Sequence, residues 1–458
     1  MCSYGSGVSI NASGIICRGV CLADYLMLGN PKRGGSKPRG NAAWFPYYAG
    51  FSYKFAYNLL TSTGLAPESQ ILDSWNGSGT TTSAAVEAGF RARGFDLNPV
   101  MTVTARARLL SQGDKPSLRP IAMELVKIAE EEWQNVAIMG DPLCDWFQPE
   151  SASFIRALDR AIVRLLVDGE YQFWAHRDYG LMSELAAFFY LVMFRAIRHL
   201  LGGQLTSNPT WIKRPALELR SAPSLGTVTQ GFLGQLRQLL ASVGEQSELF
   251  NNTQNRASLS VASSEHLPLD GESIDLVLTS PPYCTRIDYA VATQPELALL
   301  GHASDTEFDV LRRRLIGTST VPKEAPPICG SWGQTCCTFL NQVATHPSKA
   351  SSTYYLKSHL QYFAAISKSM SEVSRVLKPG GMCVLVVQDS YYKDVHNDLA
   401  KVFTEMGENA SLGLARRVDF PHARTMAGIN PAVRPYRQSY GATESVLCLR
   451  KIGEGAAN

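Results

Sequence analysis

At 458 residues the chain has room for one large domain with insertions, or for two to three ordinary ones. Its 45% apolar and 18% charged residues are those of a soluble globular protein, and a net charge of +3 is too small to imply a polyanionic partner by itself. The ten cysteines are scattered through ordinary helix and strand patterns, which argues against a disulfide framework and for reduced thiols in a cytoplasmic protein. The opening MCSYGSGVSINASG lacks the basic start and long apolar core of a secretory leader, so none is expected.

Residues 1–40 are Gly- and Ser-rich with little periodicity, and GNPKRGGSKPRG reads as a mobile basic segment. From Trp44 to about Val100 the pattern predicts a helix over 55–62, a strand over Gln70–Asp73, a helix over Thr80–Gly89 and a strand over Ala92–Asp96. Strands alternating with helices predict βαβ units and a parallel sheet, and the first half of that unit is assigned to 41–102. Residues 103–255 read as a mostly helical insertion for recognition or interaction, because apolar residues there recur at helical spacing. The α/β rhythm resumes over 256–452, broken by an irregular stretch at 300–352. The run LMSELAAFFYLVMFRAIRHLL (181–201) carries Glu184, Arg195, Arg198 and His199, which are costly in lipid, so it is read as a buried or partner-facing helix and no membrane contact is expected.

Two stretches carry chemistry. In ILDSWNGSGTTTSAAVEAGFRARGFDLNP (71–99) a strand ends at Asp73, a glycine loop follows through Gly77, Ser78 and Gly79, and a helix starts near Thr80. Glycines there let backbone N–H groups and a helix N-terminus approach a ligand. A second strand then ends in Asp96, placed to accept hydrogen bonds from ribose hydroxyls. The third glycine of a dinucleotide fingerprint is missing, and no Gly-Lys-Ser/Thr follows to make a P-loop. In IDLVLTSPPYCTRIDYA (274–290) an apolar strand stops on Ser280, Pro281, Pro282 and Tyr283. Prolines cannot donate to a sheet ladder, so the strand ends there and the residues after it are held stiffly at its carboxyl end.

Together with FPYYAGFSYKF (45–55), SSEHLPLDGESIDLVLTSPPY (263–283) and VSRVLKPGGMCVLVVQDS (373–390), these stretches resemble the S-adenosylmethionine-dependent amino-methyltransferases of DNA, of the N4-cytosine and N6-adenine type. The resemblance covers the α/β portion and leaves 103–255 and 300–352 unmatched. It implies a Rossmann-like class I methyltransferase fold, a mixed and mostly parallel seven-stranded sheet with a large helical insertion. It also implies that Asp73, Gly77, Ser78, Gly79 and Thr80 cradle the methionine side of S-adenosylmethionine. Asp96 would take the ribose, Phe51 would line the cofactor beside Ala49 and Gly50, and Glu265 would hold the adenine amino group, with Ser264 in place of a commoner aspartate. Ser280 Oγ and the Pro281 carbonyl would accept from the amino group of a flipped base, with Pro282 stiffening the loop and Tyr283 stacking on the ring. Serine before Pro-Pro-Tyr is usual among the N4-cytosine enzymes, so cytosine N4 is preferred over adenine N6.

Carbon-5 chemistry would need a Pro-Cys pair in its own loop, whereas Cys284 follows Tyr283. Cys329, Cys336, Cys337 and His346 fit no common zinc spacing, so no metal is expected. Duplex DNA would be held by the arginine-rich stretch 415–440, through Arg416, Arg417, Arg424, Arg434 and Arg437 with Phe420, Tyr436 and Tyr440 interleaved. Basic patches at 311–317 and 346–359 add to it. The competing expectations are an RNA methyltransferase using the same pocket, and a non-catalytic subunit of a modification or phage-defence complex. The helical insertion could serve a homodimer or a partner subunit.

Overall fold

A computed structural model of the chain describes residues 22–32, 40–45, 50–167, 179, 182–203, 212–243, 256–284, 287–302, 305–422 and 441–453. Most of the segment 1–40, and also Ala49, Arg424, Arg434, Tyr436, Arg437 and Tyr440, lie outside them.

Nine strands are described, β1 (Gln70–Asp73), β2 (Arg91–Asp96), β3 (Ala257–Val261), β4 (Ile274–Thr279), β5 (Leu377–Gln388), β6 (Ser390–Tyr392), β7 (Val395–Asn397), β8 (Leu412–His422) and β9 (Ala442–Lys451). Seven make one sheet in the order β3-β2-β1-β4-β5-β9-β8, and β6 and β7 form a separate hairpin. β3, β2, β1, β4 and β5 run parallel, and β9 is antiparallel to both of its neighbours. This is the expected Rossmann-like class I arrangement. β1 and β4 are almost continuously buried, as parallel strands covered on both faces must be. The chain winds outward from β1 to β3, then returns to place β4 on the other side of β1, with Ile71 opposite Leu276 and Leu72 opposite Val277. Strand order reverses between β1 and β4, and ligands bind beyond the carboxyl ends of strands at such a point.

The helices flanking the first half are α1 (Tyr53–Thr61) and α2 (Thr80–Glu87), followed after β2 by α3 (Pro99–Ala107). Asn98 caps α3 through the Val100 amide, with proline in the first turn. Between α3 and β3 come α4 (Lys115–Glu132), α5 (Pro149–Leu166), α6 (Glu184–Leu200) and α7 (Leu225–Leu240). The apolar α6 is covered within the chain, since Phe188, Phe189, Tyr190 and Phe194 are fully buried in one core with Trp44, Phe154 and Phe232. No helix of the described residues is long and apolar enough to cross a membrane.

Two polar ties bolt this insertion to the segment after the proline pair. Arg156 on α5 is buried, pairs with Asp141 and Asp159, and donates to the carbonyls of Ala298 and Leu299. Arg198 on α6 pairs with the fully buried Glu296 and donates to the Ala292 carbonyl. The stretch 300–352, expected to be irregular, contains α8 (Asp305–Arg314) and α9 (Gln334–Thr345). In α9 the buried residues Cys336, Phe339, Leu340 and Val343 do recur at helical spacing, but surrounding prolines and glycines mask the pattern. The long helix α10 (Leu356–Val376) then leads into β5.

Candidate active site

Asp73 is the last residue of β1 and is buried. Its Oδ1 accepts from the Thr279 hydroxyl at the end of β4 and from the Trp75 amide. The two strand ends that the sequence separates by some two hundred residues are therefore bonded to each other. Asp96 ends β2 and accepts from the Gly77 amide at 2.9 Å and the Asn98 amide at 2.8 Å, which fixes the glycine loop against it. Burial raises both carboxyls to about 6, and for Asp96 the neighbouring Asp73 adds to the effect.

Gly77 and Gly79 both take left-handed backbone, with φ of 48° and 83°. A side chain at Gly79 would meet Ala105 of α3, with its Cβ 2.7 Å from that of Ala105. Gly79 thus lets α2 pack closely on α3. Alanine there combines backbone strain with a clash against another helix, and Gly79→Ala is expected to cost about 2–4 kcal/mol, read as a lowered denaturant midpoint at unchanged slope. The loop is also clamped from behind, where the buried Arg108 donates to the Ser78 carbonyl at 2.6 Å and hydroxyl at 2.8 Å.

After β4, the Ser280 hydroxyl donates to the Val386 carbonyl of β5 at 2.9 Å. With its hydrogen committed there, Oγ can act only as an acceptor toward anything else. The Pro282 carbonyl accepts from the hydroxyl of Tyr362 on α10 at 2.9 Å. Tyr362→Phe should loosen the loop without altering the cavity lining, at a cost of about 1 kcal/mol read as a lowered denaturant midpoint at unchanged slope.

One cavity joins these parts. Phe51, Asp73, Ser78, Thr80, Asp96, Ser280, Pro281 and Pro282 line it, with Gly50 and Ser264. Two residues lining it, Ser74 and Trp75, carry buried polar atoms, Oγ and Nε1, with no hydrogen-bond partner among the described residues, and the buried Tyr289 Oη has only the Tyr283 amide beside it. Such orphans fit a polar ligand seated in the cavity. Glu265 lines an adjoining cavity and pairs with Lys368 at 3.5 Å, while Ser264 lines the main one. Tyr283 is not among the residues lining the main cavity.

The basic residues divide similarly. Arg416 donates to the carbonyls of Ala23 and Leu26, and Arg417 pairs with Asp419, so both are engaged within the protein. Arg313 and Arg314 line the adjoining cavity together with Lys368. Cys284 is buried, and its thiol is pushed up to about 12 by desolvation, which makes it inert. Among the described residues no group of three or more His, Cys, Asp or Glu side chains could hold a metal ion.

Sequence reasoning passes over Arg198 and Tyr289, both of which line the cavity. Arg198 lies over the Phe45 ring, 5.3 Å from its centroid. A charged residue on an otherwise apolar helix is the available signal for Arg198. Tyr289 gives none, because its placement depends on packing around Asn98.

No family model matches the chain. It is 23% identical over 285 residues to the type II methyltransferase M.BsoBI of Geobacillus stearothermophilus, covering 56% of this chain and 52% of that protein. It is 21% identical over 311 residues to the type II methyltransferase M.AvaI of Nostoc sp., covering 63% and 60%. The matched region thus spans little more than half the length of these curated relatives. Among solved structures, a geranyl diphosphate methyltransferase in complex with GPP and sinefungin aligns over 87% of this chain and 78% of its own, at 7% identity and a TM-score of 0.32.

Proposed function

We propose that the chain is an S-adenosylmethionine-dependent DNA methyltransferase acting on the exocyclic amino nitrogen of a flipped base, with cytosine N4 preferred. The observation that carries this reading is the bonded pair of strand ends, Asp73 to Thr279, which sets a nucleoside-type cradle and a proline-stiffened acceptor into one cavity. The two type II methyltransferase relatives support DNA as the substrate.

The residues present suit the cofactor. Asp73 and Asp96 are carboxyls raised to about 6 that a cationic ligand and a sugar diol would relieve, and the orphaned donors belong to Ser74 and Trp75, which line the same space. α2 begins there with no side-chain cap, leaving its first amides for a ligand. When bound, S-adenosylmethionine supplies an electrophilic methyl group.

The amino nitrogen of cytosine or adenine is a poor nucleophile because its lone pair is delocalised into the ring. Ser280 Oγ, made an acceptor by its bond to Val386, favours the pyramidal nitrogen by holding one amino hydrogen, and the Pro281 carbonyl is the partner for the other. Neither group reorganises, since prolines and Tyr362 fix the loop. The target atom is unreachable inside a duplex, so the base must leave the stack. The exposed Arg313 and Arg314 next to the cavity suit the displaced backbone. Nucleoside analysis of DNA from cells expressing the protein tests the reading. N4-methylcytosine is the expected product, N6-methyladenine would correct the base, and no modified base would reject the assignment.

A further inference from the structure

Tyr289 opens a short helix, Tyr289–Ala292, ten residues beyond the end of β4, and its ring lines the main cavity. Its place is fixed from several directions. The preceding Asp288 is buried, caps that helix at the Val291 amide, and is held by Arg312 at 2.6 Å and the Ser319 hydroxyl at 2.9 Å. The Tyr289 carbonyl accepts from the Thr293 hydroxyl at 3.0 Å and lies 3.5 Å from Asn98 Nδ2. Asn98 in turn bonds Thr293 at 2.9 Å and donates its amide to Asp96. One short chain of hydrogen bonds therefore sets Tyr289 relative to Asp96.

The hydroxyl oxygen of Tyr289 is buried and accepts from the Tyr283 amide, while no acceptor among the described residues takes its hydrogen. Burial first, then the nearby Tyr283 and Asp96, push its pKa well above that of free tyrosine. The group is a donor at every physiological pH, and a buried donor without an acceptor is costly unless a ligand completes it. Asp96, as a carboxylate, can only accept. A vicinal diol suits the two together, since each of its hydroxyls gives a hydrogen to a carboxylate and keeps lone pairs that need a donor. An ammonium or a carboxylate meets one of the two residues and leaves the other unmet.

We infer that Tyr289 is a positioning residue that donates a hydrogen bond to the ribose diol of S-adenosylmethionine, the diol being shared with Asp96; this rests on the methyltransferase reading above. The test is calorimetry of the full chain and of Tyr289→Phe with S-adenosylhomocysteine and its 2′-deoxy and 3′-deoxy analogues. The variant should bind S-adenosylhomocysteine about tenfold more weakly, the loss of one hydrogen bond, and should show no such penalty with one of the deoxy analogues. Thermal unfolding of the variant within a few degrees of the wild type confirms that the ring still packs. No loss of affinity, or an equal loss with all three ligands, overturns the inference and leaves the methyltransferase reading standing. Failure of the wild type to bind S-adenosylhomocysteine overturns that reading and the inference with it.

Discussion

Ser280→Ala should lower methyl incorporation into DNA by about 100- to 1000-fold while leaving cofactor affinity within about twofold of the wild type. The reason lies in the direction of one hydrogen. The Ser280 hydroxyl gives it to the Val386 carbonyl, so the oxygen faces the cavity as a fixed acceptor. Alanine removes that acceptor together with the bond to Val386, yet it alters none of the groups on the glycine loop. Radiolabelled methyl transfer to duplex DNA, set beside calorimetry with S-adenosylhomocysteine, separates the two effects. Equal losses in both would mean that Ser280 supports the cofactor and not the amino group. Activity near the wild-type level would remove Ser280 from the chemistry.

The second large effect is on pH. Asp73 and Asp96 carry folded-state values of about 6, above the ordinary carboxylate range, because desolvation penalises their charged forms. A cation and a sugar diol seated against them favour ionisation, so binding expels the protons held below pH 6. Affinity for S-adenosylmethionine should then fall on acidification, by about tenfold per carboxyl at pH 5 relative to pH 7.5, or up to about a hundredfold if both respond. Asp96→Asn should remove one of the two steps as well as weakening binding at neutral pH. A flat affinity between pH 5 and 7.5 would show that neither carboxyl senses the ligand. The sign for stability is the reverse of the usual acidic group. A folded value above the unfolded one means that Asp73 destabilises the unliganded protein increasingly as pH rises from about 4 to 6, by on the order of 3 kcal/mol in all. Ligand binding near neutrality relieves this, so the increase in melting temperature on adding cofactor should be larger at pH 7.5 than at pH 5.

The reach of each sequence signal decides which of these features are legible before the fold is known. Asp73 and Asp96 end strands and Ser280 follows one whose apolar run is unmistakable, and proline and glycine punctuate them at the residue, so their place at the carboxyl ends of the strands is legible. The segment 262–269 has no such period, and there Ser264 faces the cavity where Glu265 is expected, a difference of one residue. Arg416 and Arg417 look like free cations in a basic stretch, but the carbonyls of Ala23 and Leu26, almost four hundred residues away, hold Arg416, and Arg417 pairs with Asp419 two residues along the same strand. That Gly79 also serves helix packing is not legible, because its neighbour Ala105 is set by the tertiary fold. Arg198 reaches the cavity across almost a hundred residues of sequence through a buried acid, and no local pattern encodes such a distance.

That last tie bears on attempts to retarget the protein. Glu296 is wholly enclosed and Arg156 is nearly so, and each has its counterpart on the other side of the junction between the insertion and the segment after the proline pair. Exchanging the helical region for that of a relative would strand an acid, or leave two main-chain oxygens without donors, unless the guest carried both arginines at matching positions. Grafts that keep them should yield folded chimaeras, whereas grafts that drop either should accumulate as insoluble protein.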